Sequence, residues 1–172
     1  MMKKFVLLFV MGCFMVVGAH AQKFALIDME YIMKHIPAYE QAMKQLDSDS
    51  KKYQSEVESI SKEAKALYEK YQNDAAKLTQ AQRTERENAI VAKEKAAADL
   101  KQKYFGPQGT MAQKQQQLIQ PINDSVYQAV KVIAGQRGYA LVLDRASDAA
   151  IIFGSPSIDI SDEVLSRLGY SN

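Results

Sequence analysis

The side chains able to do chemistry are few, and their spacing does not serve it. His20 and His35 are the only imidazoles in 172 residues, and Cys13 is the only thiol. His35, near Glu30, reads as a surface or core histidine rather than a metal ligand. The carboxylate pairs Glu56/Glu58 and Glu85/Glu87 stand two residues apart. On a helix such positions do not face one another, so acid–base catalysis by a carboxylate pair is poorly served. Asp144-Arg145 follows an apolar run and reads as a turn acid closing a strand. There is no glycine-rich phosphate loop, which leaves ATP-driven action unsupported. The sequence therefore offers no catalytic, metal or cofactor-binding residue, calls for no cofactor, and reads as a non-enzyme.

The elements around these residues explain what the chain is built for. Lys3 and Lys4 precede an uncharged apolar run from Phe5 to Gly18, and Ala19-His20-Ala21 puts small residues where a signal peptidase reads. Residues 1–21 thus read as a cleaved export signal, with Gln22 the first mature residue. The run falls short of the ~20 residues of a membrane span. A rival reading takes Val10-Met11-Gly12-Cys13 as a loose lipoprotein box, but the apolar run continues past Cys13. The mature chain then has no cysteine and needs no oxidative folding. The whole chain carries 22 basic and 20 acidic residues, and removing Lys3 and Lys4 balances the two. A neutral chain is not a nucleic-acid binder driven by bulk charge.

The longest feature is an arm, expected over 38–118. From Ala38 to Phe105 there is no Gly and no Pro, and good helix formers dominate. Positions spaced alternately by four and three run Tyr39, Met43, Leu46, Ser50, Tyr53, Val57, Ile60, Ala64, Leu67, Tyr71, Asp74, Leu78. Ten of these twelve are apolar or aromatic, which marks a coiled-coil seam rather than a solvated single helix. Thr79 and Gln82 have the spacing of a capping box, so the turn is placed at 78–82 and the partner helix comes from the same chain. The alternative is one continuous rod of about 100 Å. The hairpin is favoured because it brings the apolar run 23–28 back to a second one at 139–144. The return helix is Ala-rich, with Ile90, Ala97, Tyr104, Met111 and Leu118 at sevens. Gly106-Pro107-Gln108-Gly109 interrupts it near the level of Ser55, and Gly106, Pro107 and Gly109 read as an arm hinge.

The remainder reads as a small body. Residues 22–37 supply a strand and a short helix. Residues 119–172 supply a helix, strands at 139–144 and 150–153, and a short helix N-capped by Ser161. Phe24, Leu26, Ile27, Leu141, Leu143, Ile151, Phe153, Val164, Leu165 and Leu168 are the expected core. Three short strands and one short helix bury too little area alone, so strands of several subunits are expected to share one core. The fold class is mostly α with a small β element: a long antiparallel coiled-coil hairpin projecting from a small α+β body.

In this order the chain resembles the Skp/OmpH family of periplasmic chaperones. The residues carrying the resemblance are Phe24-Ala-Leu-Ile-Asp-Met29, Gly138-Tyr-Ala-Leu-Val-Leu-Asp144, and Asp159-Ile-Ser-Asp-Glu-Val-Leu165 with Leu168-Gly169-Tyr170. The resemblance implies a periplasmic homotrimer whose hairpins surround a cavity. It implies ATP-independent holding of unfolded outer-membrane β-barrel proteins until insertion. Familiar members are strongly basic and this mature chain is neutral, so no lipid or lipopolysaccharide site is carried over. The competing reading is a structural envelope protein whose arm spaces or tethers other components.

Overall fold

The computed structural model describes residues 22–147 and 151–170. The export signal, with Ala19 and Ala21, lies outside the described residues, as does Ala150; Gln22 is the first residue described.

Strand β1 (Lys23–Ile27) ends at Asp28, whose carboxylate accepts the Tyr31 N–H at 2.8 Å and so caps helix α1 (Met29–Lys34). Pro37 then opens helix α2 (Pro37–Asp74), where its missing N–H costs nothing. This helix of 38 residues extends about 57 Å. A 3₁₀ turn (Ala75–Lys77) and extended Leu78 reverse the chain. Thr79 caps helix α3 (Gln80–Phe105): its Oγ1 accepts the Gln82 N–H, and the Gln82 side chain takes the Thr79 N–H. After the break at Gly106–Gly109, helix α4 (Thr110–Arg137) completes the return and continues into the body. Gly138, at φ 70°, ends it in the left-handed conformation that glycine adopts without strain.

Strand β2 (Tyr139–Asp144) lies parallel to β1, with Phe24 opposite Leu141, Leu26 opposite Leu143 and Ile27 opposite Asp144. Parallel neighbours need a long crossover, and here the whole arm is that crossover. Side chains alternate across a strand. Ala25 and Ile27 face a core made with Ile32, Met33 and Ile36 from the first helical stretch, Val126, Ala129 and Ile133 from α4, and Val164 and Leu165 from helix α5 (Ser161–Arg167). Each fully buried aliphatic side chain contributes about 1.5–3 kcal/mol.

Two expectations are corrected. No strand forms at Ile151–Phe153. Both edges of β1 are already taken, one by β2 and the other by the chain at Asp159–Ile160, where the Ile160 N–H donates to the Leu26 carbonyl at 2.9 Å. Gly154 presses against the Leu26 side chain, leaving no room for a Cβ, and Ile152 and Phe153 stand 97% and 83% exposed. A short apolar run does not by itself reveal whether it joins a ladder. Ser161 is not the N-cap of α5. Ile160 holds that position, while the buried Ser161 hydroxyl accepts the Asp28 N–H at 2.8 Å and donates to Asp159 at 2.6 Å. A tertiary partner outbid the local one.

Candidate functional site

The arm is the element with reach, and its seam is where the two helices are fixed. The α2 residues Leu46, Tyr53, Val57, Ile60, Ala64 and Tyr71, and Leu78 in the turn, are buried or half-buried along it. Tyr39 is half-buried against the body core. Met43 departs from the expected seam, being 45% exposed, and Ala42 takes the buried place. Leu67, at 37% exposure, sits on the rim of the seam.

On the return helix the seam runs through Arg83, Ile90, Ala97 and Tyr104 at sevens, with Arg86, Lys93 and Leu100 between them. Arg86 and Lys93 are cross-helix partners. Arg86 pairs with Asp74 at 2.9 Å and Lys93 with Glu63 at 2.6 Å, while the Tyr71 hydroxyl donates to Glu87. Near the break, Tyr53 and Tyr104 stack at 4.1 Å between centroids and 15° between planes. Tyr104 donates its hydroxyl to Glu56, and Lys114 meets Asp49 at 2.6 Å. The hydrogen bond to Glu56 raises the Tyr104 pKa, and that to Asp49 raises the Lys114 pKa, since each favours the protonated form.

Large apolar side chains remain on the arm's outside: Tyr68, Val91 and Phe105 beside Met43. A crevice of about 330 Å³ lies on its flank, lined by Gln54, Val57, Glu58, Lys101 and Phe105. The body has its own apolar surface. The sheet face turned away from the core carries Phe24 and Leu141, half exposed, with Leu143 half-buried and Leu26 buried beneath Gly154. Ile151 is half-buried and Phe153 exposed next to this face, whereas Val164, Leu165 and Leu168 pack inward on the chain's own core.

The residues with chemistry are engaged in holding the fold. His35 places Nδ1 2.8 Å from the Tyr31 carbonyl and tilts its ring on Tyr31 at 4.2 Å. Asp144 accepts the N–H groups of Met29 and Ala146, each at 3.0 Å. Burial alone pushes its carboxyl upward, but hydrogen bonds from Ser147, Met29 and Ala146 outweigh this and hold its pKa below the usual value. Arg145 spans Asp28 and Asp159 at 3.1 and 3.2 Å, tying β1 to the segment before α5. Among the described residues no three acidic, His or Cys side chains converge as a metal site, and no helix is long and apolar enough to cross a membrane.

A hairpin arm on a body of two parallel strands can be compared as a whole with known proteins. The OmpH-like outer membrane protein family matches residues 23–168, from the first residue of β1 to the turn after α5. The chain belongs to the OmpH-like family. The relatives share modest identity spread over their length. The protein named chaperone protein Skp of Photorhabdus laumondii is 27% identical over 153 residues, 88% of this chain and 89% of its own. The chaperone protein Skp of Yersinia enterocolitica is 25% identical over 151 residues, 88% of each. The OmpH-like match takes in arm and body together.

Proposed function

We propose that this protein is a periplasmic chaperone that holds unfolded outer-membrane β-barrel proteins, without ATP, and keeps them from aggregating before insertion. The observation that carries the reading is a long arm whose seam is closed by its own residues while Met43, Tyr68, Val91 and Phe105 stay exposed outside it. Membership of the OmpH-like family and relatives named as chaperones support it. Half-exposed side chains scattered along an arm each give a weak contact. Several acting on one tethered client raise its effective concentration and so its retention, yet each contact still breaks readily.

The assembly we infer is a homotrimer closed through the body. Parallel sheets are found with both faces covered, and here one face carries Phe24 and Leu141 in the open while, among the described residues, no strand lies beside the outer edge of β2. Copies of the chain covering that face would bury Phe153 and Ile152 as well. Residues 1–21 act, in this reading, as the cleaved export signal.

The test is to dilute a urea-unfolded β-barrel protein into buffer with the purified chain and follow light scattering. Suppression at a few trimers per client supports holding. Undiminished scattering at every ratio, with the arm folded by circular dichroism, refutes it and leaves a spacer role.

A further inference from the structure

The break in the return helix looks, from composition, like a loose joint. Its geometry is closed. The Gly106 N–H still donates to the Gln102 carbonyl at 2.9 Å, the Gly109 N–H donates to the Gly106 carbonyl at 2.8 Å, and the Gln113 N–H picks up the Gly109 carbonyl at 3.1 Å. The Gln113 side-chain amide donates to the Gln108 carbonyl at 3.0 Å. Neither glycine has a left-handed φ, so conformational freedom is not what selects them. Close approach is. A Cβ on Gly109 would lie 2.8–2.9 Å from the carbonyls of Lys103 and Tyr104 and the nitrogen of Gly106, and one on Gly106 would strike the Gln102 carbonyl.

The register across the arm explains what this folded-down loop does. On α2, Asp49 and Tyr53 are four residues apart, about one turn. Their partners on the return, Lys114 and Tyr104, are ten apart. Six residues of return chain are thus taken up without advancing along α2. Both edges of this excess are pinned. On the tip side Tyr104 stacks on Tyr53 and bonds Glu56. On the body side Lys114 pairs with Asp49 while its ammonium lies 6.0 Å from the Tyr53 ring centre. Tyr53 is therefore gripped from both sides of the break by one stack and one cation.

We propose that the break is a latched elbow: the Tyr53–Tyr104–Glu56 and Asp49–Lys114 contacts hold the Gly106–Gly109 loop shut, and α3 changes its angle to α4 only when this clasp opens. The inference rests on the arm's own geometry and stands whether or not the chain holds clients. The clasp sets the arm's resting shape, and the loop stores the chain length that an opened state would use.

Amide hydrogen exchange on the full chain tests it, comparing the natural sequence with Tyr104→Ala and Lys114→Met. The Gly109 and Gln113 amides of the natural chain are expected to exchange as slowly as their helical neighbours in α3 and α4. Both variants are expected to speed exchange across 105–113 tenfold or more, with amides of Ile32 and Met33 in the body unchanged. Lys114→Met keeps its stem packed and removes only the charge, so it decides the matter if Tyr104→Ala fails to fold. Loop-like fast exchange of Gly109 in the natural chain would overturn the latch, as would variants that leave 105–113 unchanged.

Discussion

Replacing Phe153 by Ser separates the chain's own stability from that of the proposed assembly. Phe153 is 83% exposed in the single chain, so its ring stabilises the isolated fold very little. If copies cover this face, nearly all of that ring becomes buried, and a fully buried phenylalanine is worth about 1.5–3 kcal/mol. Loss of the ring then weakens each subunit contact by roughly tenfold to a hundredfold, since ~1.4 kcal/mol is a factor of ten. In a closed ring every interface loses it, and the effect compounds. Sedimentation velocity over a dilution series reads the change: the variant should fall to the monomer at concentrations where the natural chain stays assembled. Far-ultraviolet circular dichroism should be unaltered. Identical sedimentation of the two proteins would refute the reasoning, as would a natural chain that sediments as a monomer throughout.

Further outcomes follow from the body and the tip. Ile133→Ala, which hollows the core at a residue 1% exposed, should lower unfolding free energy by about 2–5 kcal/mol in urea titration of the body signal. Asp144 has its folded pKa depressed below the unfolded value of about 3.9. Its contribution is therefore present above that value and lost as pH falls through the folded one. Acid titration should show the natural chain losing stability below about pH 4, and Asp144→Asn should flatten that loss. Thr79→Ala removes the hydroxyl that accepts the Gln82 N–H, one half of the capping box, and should cost about 0.5–2 kcal/mol at the tip. It should be read as faster exchange of the Gln82 and Arg83 amides with an unchanged melting midpoint of the body.

The hairpin was legible because its signals are local or periodic. A long stretch free of Gly and Pro and a seam at fours and threes reduce the choices to rod or hairpin, and two apolar strand runs decide between them. What the sequence hid depended on which partner arrives first. Ser161 has the composition of a cap, but the Asp28 N–H, 133 residues away, claims its hydroxyl. Residues 150–153 have the composition of a strand, yet the Asp159–Ile160 segment occupies the β1 edge. The return helix looked irregular because Arg86 and Lys93 fill seam positions, and their partners Asp74 and Glu63 cannot be paired with them until the turn is fixed. Composition places a break at Gly106–Gly109 but does not show that contacts close it, because it records glycine without recording why it is there. The close approach at Gly109 is a fact of three backbone atoms and leaves no trace in spacing.

How the seam is filled bears on the choice between holding and spacing. A tether or spacer gains most from a wholly apolar seam and a polar outside, because both strengthen the rod and suppress stray contacts. This arm does otherwise. Its seam uses ion pairs, small alanines and a tyrosine stack, and exposed pairs of that kind are worth little each. Val91 stands 60% exposed on the return helix, where a lysine or glutamate would serve a spacer better. Tyr68 and Phe105 are likewise left outside. Within the arm, Phe105 meets Tyr104 edge-on and the Tyr68 hydroxyl accepts from Gln72, yet much of each side chain stays open to solvent. In the proposed role they would meet a client, and their separation would keep any one contact too weak to trap it. The distribution is compatible with the proposed arm that touches many segments of a client.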